Sequence, residues 1–391
     1  MCGITFIFDE YFNISSEFVE PLLIKNIRIE FSKKNIRRLR FLTPDGVVIS
    51  VRNFGSEVSE VSEVYKVQFD TITFQIIDVQ LLLEQEIPDG LESQNIKTLS
   101  HRGPDHYVER QTEMGLFIFD RLSINDIENG EQPFDDGVNT FMCNGEIYNH
   151  KELEELYNIE TNTQSDCEVV FGMLNNNHPT FGYLDAEFAC VYTNGTEVIA
   201  SRDRFGVRPL YVAYSDDNDI MGFSSESKGF YGLLNPKPKL IKQFPPGCYW
   251  SSKSPKHFVS YHNIIKHKSK LHSEEVSYKK QVETVRTLVI EAVRKRVEMS
   301  GRPVAYFLSG GLDSSIVAAI GASLSKTPIN VYSVGIRGGN SPDIEASKLM
   351  AKHLGAKHTI IEFDLKDAVE RVPEVIKTLE SYDCTTIRAS V

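Results

Sequence analysis

From Pro303 onward strand and helix signatures take turns: PVAYFL reads as a buried strand, DSSIVAAIGASL as a helix with an apolar face and INVYSVGI as a strand. PDIEASKLMAKHLG then reads as a helix closed by Gly355, and TIIEF as a strand before a further helix. Strands separated by one helix each pair through crossovers, so this order predicts a mainly parallel sheet with helices on its faces. Ligands of such sheets sit beyond the carboxyl ends of the strands.

The earlier part follows a different rule. GITFIF, GLFIFD, FACVYT, EVIAS, LYVAY and IMGF are short apolar runs punctuated by Gly, Asp and Asn, a pattern rich in sheet. Ser165 followed by Glu168 has the spacing of a capping box, and Val169, Val170, Met173 and Leu174 give the helix behind it an apolar face. NPKPK, FPPG and SSKSPK concentrate Pro, Lys and Ser between Asn235 and Lys256, which suits a domain edge and puts the boundary between Pro236 and Ser273. The expected domains are therefore 2–262 and 274–391. The first carries an ordered insertion at about 10–97, with strand-like runs VVISV and TITFQII and the echo SEVSEVSEV, to which no chemistry is assigned.

A chain of 391 residues, 41% hydrophobic and 25% charged, is long enough for two cores. A net charge of -12 and a pI near 5.4 argue against nucleic acid, whose phosphates need a basic surface, and for small-molecule partners. The basic run Lys33, Lys34, Arg37, Arg38 and Arg40 reads as a solvated face. The apolar start at Met1–Phe8 is interrupted at once by Asp9 and Glu10, so neither export nor a membrane is expected. Six scattered cysteines without C-x-x-C spacing fit the cytoplasm and disfavour a zinc site. No signal segment precedes Cys2, which disfavours a lipid anchor there.

A cysteine left first in the chain by removal of Met1 brings a thiol and a free α-amine together, and the amine can take the thiol proton directly or through water. Alone, an early Cys is most often a small core residue. Here it is followed in order by HRGPD (His101–Asp105), RLSI (Arg121–Ile124), NGEIYNH (Asn144–His150), SDCE (Ser165–Glu168), RDRFGVRPLY (Arg202–Tyr211) and SSESK (Ser224–Lys228). Together these resemble the N-terminal-nucleophile (class II) glutamine amidotransferases, over nearly all of the first domain apart from the insertion.

The resemblance implies an αββα N-terminal-nucleophile sandwich in which Cys2 attacks the side-chain amide of glutamine, releases ammonia and leaves a thioester for water to convert to glutamate. It assigns the oxyanion to the Asn144 side-chain N–H and the Gly145 backbone N–H, donors of the kind such an intermediate needs. Arg121 would clamp the α-carboxylate and Glu146 and Asp166 the α-ammonium, with Leu122, Ser123, Ile124 and Asn125 completing the glutamine site. Taken singly, Arg121 could be a surface ion pair, Asn144 and Gly145 a plain turn, and Asp166 a helix-start acid. HRGPD, with its turn formers Gly103 and Pro104, reads as architectural.

LSGGLDSS (Leu308–Ser315) stands between the PVAYFL strand and a helix, where glycine backbone and a helix N-terminus cradle an anion. It lacks the Gly-Lys-Ser/Thr of a Walker A loop. It resembles the pyrophosphate loop of enzymes that split ATP into AMP and pyrophosphate, so the second domain is expected to be an α/β parallel-sheet ATPase of that kind. The resemblance places ATP on Leu308, Ser309, Gly310, Gly311, Leu312, Asp313, Ser314, Ser315, Val334 and Gly335. Asp313 is a magnesium ligand or a helix cap, and apolar strand residues such as Leu308 and Val334 would otherwise be core.

SYDCTTIRAS (Ser381–Ser390) resembles the corresponding segment of glutamine-dependent asparagine synthetases. That family implies adenylation of the aspartate side-chain carboxylate by ATP and its amidation by ammonia to give asparagine, AMP and diphosphate. Arg388 is then a candidate aspartate ligand or a structural residue, and a homodimer the candidate assembly. Family members continue through a further run of the SGEGSDE type, whereas this sequence stops at Val391, so the synthetase module is expected to be incomplete. The alternatives are a chain that only hydrolyses glutamine, an amidotransferase with another acceptor, or a non-catalytic binding or regulatory relative, which the presence of Cys2 with its expected oxyanion donors disfavours.

Overall fold

The structure, a computed structural model, describes residues 2–9, 99–231, 233–262, 277–339 and 341–380, together with the backbone of short strands between 38 and 77. The chain forms two compact units, one of Met1–Phe12 with Lys97–Val391 and one of Asn13–Ile96. In the second, β2 (Arg38–Leu42) pairs antiparallel with β3 (Val48–Arg52), and β4 (Glu60–Val61), β5 (Val64–Phe69) and β6 (Ile72–Ile77) form an antiparallel meander. Most of the basic run Lys33–Arg40 and of the remaining insertion lies outside the described residues.

The first unit opens with β1 (Gly3–Phe8), which lies inside a six-stranded antiparallel sheet. Its order is β15 (Leu240–Gln243), β13 (Tyr211–Tyr214), β14 (Ile220–Ser224), β1, β8 (Gly115–Arg121) and β7 (His106–Gln111). A second six-stranded sheet runs β17 (Phe258–Ser260), β16 (Cys248–Ser251), β12 (Val198–Arg202), β11 (Ala186–Thr193), β10 (Thr140–Ile147) and β9 (Phe134–Asp135). Strand alternation decides the layers. Ile4, Phe6, Phe117 and Phe119 of the first sheet meet Met142, Ala189, Val191 and Trp250 of the second in one core. Phe6 and Phe117 pack edge to face at 4.8 Å, an arrangement that adds about 0.5–1.5 kcal/mol to the area they bury.

The alternate residues of the second sheet, Phe141, Cys143, Phe188, Cys190 and Tyr192, face the other way. They are covered by α1 (His150–Tyr157) and α2 (Glu168–Asn175) through Leu153, Val169, Val170 and Met173. The outer face of the first sheet is buried as well, at Ile7 and Met221, and the 3-10 turn Ser227–Phe230 lies against it. NPKPK, FPPG and SSKSPK are connections within this sandwich rather than its edge, since β15, β16 and β17 follow or flank them.

The capping box does not form. The first helical residue of α2 is Glu168, preceded by Cys167 without a side-chain cap. The Glu168 carboxylate reaches back to accept from the Asn162 and Thr163 amides, at 2.9 and 2.7 Å. Those two amides offer the carboxylate more donors than the Ser165 amide alone, which donates instead to Thr163 Oγ1 at 3.1 Å.

Behind the sandwich come α3 (Tyr278–Met299), β18 (Ala305–Phe307), α4 (Leu312–Leu324), β19 (Asn330–Ile336), α5 (Pro342–Leu354), β20 (Lys357–Phe363) and α6 (Leu365–Leu379). β18, β19 and β20 are parallel, as the alternation requires, and α5 ends on Gly355 at φ 60°. The first strand is shorter and more exposed than PVAYFL implies: Tyr306 is buried, but Phe307 is 81% exposed. Among the described residues nothing covers that face of β18. No helix among them is long and apolar enough to cross a membrane.

Candidate active site

β1 begins where β8 ends, and β10 crosses opposite them in the facing sheet. That end of the sandwich holds a cavity of about 380 Å³, the size of a small-molecule site. Cys2, Arg121, Leu122, Ser123, Ile124, Asn125, Asn144, Gly145, Glu146 and Asp166 all line it. The structure thus brings together every residue that the resemblance nominated for glutamine.

Cys2 is half-buried and its Sγ accepts from the Leu122 amide at 3.4 Å. Burial pushes the thiol up, and the Leu122 bond offsets part of that rise. A raised thiol keeps its proton until a base takes it, which fits a nucleophile activated by an adjacent amine. Asn144 lies on the inner face of β10, two residues from Met142, and is 1% exposed. Its Nδ2 is buried without a hydrogen-bond partner among the described residues. An orphaned buried donor is costly, and in a cavity wall it is a standing offer to a ligand oxygen.

Gly145 is next along β10. Alternate residues of a strand send their amides to the same side. The Cys143 N–H donates to Gln132 Oε1 at 2.7 Å and the Ile147 N–H to Asp166 Oδ2 at 2.6 Å, both off the edge turned away from β11. The Gly145 N–H therefore points off that same edge, beside Asn144. A Cβ at 145 would stand 2.5 Å from the Glu187 carbonyl oxygen, so only glycine lets β10 and β11 approach as they do. A strand, not a plain turn, presents both donors.

Arg121 closes β8 and is 6% exposed, so it is no surface ion pair. Its guanidinium donates to the carbonyls of Ile127, Asn125 and Asp126, at 3.3, 3.4 and 2.5 Å. Those neutral carbonyls fix the group while leaving its charge unneutralised among the described residues. Opposite charge sits close by. The Asn125 side-chain amide donates to Glu146 at 3.0 Å and to Asp166 at 2.9 Å, so one residue bridges two carboxylates, the second of them buried.

Burial and the neighbouring Asp166 charge push Glu146 up to about 7, against the pull of Arg208. Asp166 is raised by burial too, despite accepting from Ile147 and Asn125. Asp166 is 3% exposed and bonded to β10, not capping α2. Two destabilised carboxylates and one unpaired guanidinium in one cavity match the head group of an amino acid.

HRGPD supports this wall from behind: Asp105 accepts from the Ser123 amide at 2.8 Å, and Asp105 N–H donates to the Arg121 carbonyl at 3.0 Å. Arg302, beyond α3, donates to the Ser123 carbonyl and pairs with Asp105 at 3.1 Å. Sequence reasoning missed the rest of the lining. Tyr148, Glu187 and Arg208 come from the sandwich, and Arg296, Met299, Ser300 and Val304 from α3 and the residues after it. Arg296 pairs with Glu187 and stacks over Tyr148 at 4.9 Å. Arg208 stood inside a quoted motif; the α3 residues sit at no recognisable spacing.

The second nominated site lies at the carboxyl end of β18. The Leu308 amide donates to Tyr332 on β19 at 2.8 Å, which buries Leu308 as the floor of the loop. Gly310 has φ +81°, a conformation that suits glycine, and lies so close to α5 that a Cβ would meet Ala346 at 2.7 Å. Gly311 is the N-cap of α4, and the Ser309 and Ser314 hydroxyls are 2.9 Å apart across the loop. Leu312, Asp313 and Ser315 begin the helix, and Val334 and Gly335 stand on the neighbouring strand. Val334 is exposed, not core.

Asp313 is exposed in the first turn of α4 and does not cap it. Among the described residues no cluster of three metal-ligating side chains occurs. A lone carboxylate at the head of a phosphate loop fits magnesium held mainly by nucleotide oxygens and water. Arg388 and the whole SYDCTTIRAS segment lie outside the described residues.

Residues 82–280 match the family model for a glutamine amidotransferase domain, and residues 284–391 the model for asparagine synthase. The chain is 38% identical over 320 residues to a probable asparagine synthetase (glutamine-hydrolyzing) of Acanthamoeba polyphaga mimivirus, covering 75% of this chain and 57% of that one. It is 36% identical over 328 residues to the asparagine synthetase (glutamine-hydrolyzing) of Gallus gallus, with the same coverage. The chain thus spans a little over half the length of these relatives. A solved glutamine phosphoribosylpyrophosphate amidotransferase from B. subtilis overlies 63% of this chain and 52% of its own at 18% identity and a TM-score of 0.32, too loose a likeness to bear on the site.

Proposed function

We propose that this chain, which belongs to the glutamine amidotransferase family, hydrolyses glutamine at Cys2 and serves glutamine-dependent synthesis of asparagine through its ATP-binding half. The observation that carries the first step is the convergence on one cavity of Cys2, the orphaned Asn144 Nδ2, the unneutralised Arg121 and the Glu146–Asp166 pair. The second step is supported by the match of residues 284–391 to asparagine synthase and by the phosphate loop at Ser309–Ser315.

In this reading Arg121 holds the glutamine α-carboxylate and Glu146 with Asp166 its α-ammonium, which points the side-chain amide at Cys2. The α-amine of Cys2, freed by removal of Met1, accepts the thiol proton as Sγ bonds to the amide carbon. The carbonyl oxygen becomes an oxyanion held by Asn144 Nδ2–H and the Gly145 N–H. Collapse expels ammonia, which takes a proton from the α-ammonium of Cys2, and leaves a thioester on Sγ. Water, deprotonated by the same amine, then releases glutamate and restores the thiol.

At the loop, backbone amides and the N-terminus of α4 would receive the phosphates of ATP. Magnesium at Asp313 would supply charge neutralisation to the leaving diphosphate. The acceptor is the aspartate side-chain carboxylate, activated as its adenylate and amidated by the ammonia. We place the protein in the reducing cytoplasm, since the described cysteines, Cys2, Cys143, Cys167, Cys190 and Cys248, are all unpaired thiols.

The test is to incubate the chain with glutamine, aspartate, ATP and magnesium and to quantify glutamate, asparagine and diphosphate together. Glutamate with asparagine and aspartate-dependent diphosphate is the expected result. Glutamate alone reduces the function to glutamine hydrolysis, and no glutamate refutes the reading of the cavity.

A pH dependence follows from the same pair of acids. The ammonium of glutamine binds ionised carboxylates, and Glu146 is pushed up to about 7, so lowering the pH through 7 protonates Glu146 and weakens binding. The Kd of glutamine should rise as the pH falls below 7, with a limiting slope of about tenfold per unit for each proton displaced. Calorimetry on a Cys2→Ala variant measures it free of turnover, and a flat Kd between pH 8 and 6 refutes the assignment.

A further inference from the structure

SSESK, unlike the other motifs, is left without a task by the chemistry above. Its residues bracket the start of β1: the Ser225 amide donates to the Ile4 carbonyl at 2.8 Å, and the Ile4 amide to Ser225 Oγ at 3.0 Å. The Cys2 carbonyl accepts from Arg102 Nε at 3.1 Å. Arg102 donates in turn to Glu226 at 2.6 Å, and Glu226 pairs with Lys228 as well. Glu226 and Lys228 are 7% and 9% exposed, so water does little to screen these charges. His101 also reaches Glu226, at 3.0 Å.

The chain of contacts does not stop in the sandwich. Lys228 Nζ donates to the carbonyls of Lys377 and Thr378, at 3.1 and 3.3 Å, which belong to the last turn of α6. In return the Glu380 carboxylate accepts from the Ser227 and Lys228 amides, at 2.7 and 2.6 Å. The two elements cap each other: a cation on the carbonyl end of one, a carboxylate on the amide end of the other. Glu380 does this from φ 53°, a left-handed conformation that a non-glycine residue adopts at a cost. SYDCTTIRAS follows directly in sequence.

We propose that Arg102, Glu226, Lys228 and Glu380 form a positioning relay through which the end of α6 fixes the main chain of Cys2 and so sets its rate of attack. None of the four lines the glutamine cavity. The relay therefore acts on the alignment of the thiol and leaves substrate affinity alone. It joins the acceptor-side helix to the glutamine-side nucleophile by contacts that run past the cavity, not through it. The inference rests on Cys2 being the nucleophile.

The test uses the full chain and steady-state glutamine hydrolysis. Glu380→Ala should lower kcat about tenfold, the scale of a slightly misplaced reacting group, with the KM for glutamine unchanged. Glu380→Gln, which keeps an acceptor oxygen for one of the Ser227 and Lys228 amides and sets an NH2 against the other, should recover only part of the loss. Glu380 and Glu226 both pair with Lys228, and roles not connected through that lysine would make the effects of Glu380→Ala and Glu226→Gln multiply. A relay predicts that the double variant is no slower than the worse single one. Full kcat in Glu380→Ala, multiplying effects, or a change confined to KM overturns the relay; should Glu380→Ala fail to fold, the cycle is run with Glu380→Gln under the same criteria. A wild-type chain that releases no glutamate would instead sink the underlying reading of Cys2.

Discussion

Cys2→Ala should abolish glutamate release while glutamine still binds, with a Kd within about threefold of the Kd of the unaltered chain. The separation follows from the geometry. The groups proposed to receive the amino-acid head, Arg121, Glu146 and Asp166, take their positions from carbonyls 125–127, Asn125 and the Ile147 amide, and none of these bonds involves Cys2. Among the described residues the thiol hydrogen-bonds only to the Leu122 backbone, so its loss leaves no charge unpaired. What disappears is the covalent route, for which a methyl group is no substitute. Ammonia supplied directly should still be used wherever the chain makes asparagine. Residual hydrolysis at the original rate would show that another residue carries the attack.

Asn144→Ala should lower kcat about a hundred- to a thousand-fold with little change in KM, the effect of deleting one oxyanion donor. The usual confusion between lost catalysis and lost structure is small here. Nδ2 has no partner among the described residues, so truncation strands no acceptor among them. The neighbouring Gly145 amide points off the same strand edge and remains, which accounts for a residual rate above that of Cys2→Ala. The check is the split between kcat and KM; an effect on KM alone would move Asn144 from the transition state to ground-state binding.

The fold was largely legible because its two halves obey different periodicities. GITFIF and FACVYT bury alternate residues against different layers, and the strands from Ala305 to Phe363 pair in parallel. Local rules failed where a longer contact won. Glu168 spends its carboxylate on residues 162 and 163 instead of a capping box, and Phe307 is exposed although its strand reads as core.

The cavity was legible to the extent that its walls are short motifs: RLSI, NGE and SDCE each end up on it. Glu187 and the α3 residues escaped because their role comes from packing between distant parts of the chain, which leaves no spacing to read, and Arg208, inside RDRFGVRPLY, was not singled out. Glu380 escaped for the same reason. Its partners are more than 150 positions earlier, so nothing around it announces a carboxylate with two amides to hold.

Arg296, Met299, Ser300 and Val304 come from the half of the chain that carries the phosphate loop, yet they wall the cavity of the other half. The cavity is therefore not a module that can be transplanted. A hybrid that joins residues 1–262 to a foreign synthetase would inherit Cys2, Arg121, Glu146 and Asp166 but not one side of the chamber. Swapping partners at that seam, in the laboratory or over evolutionary time, demands matched changes on both sides of it.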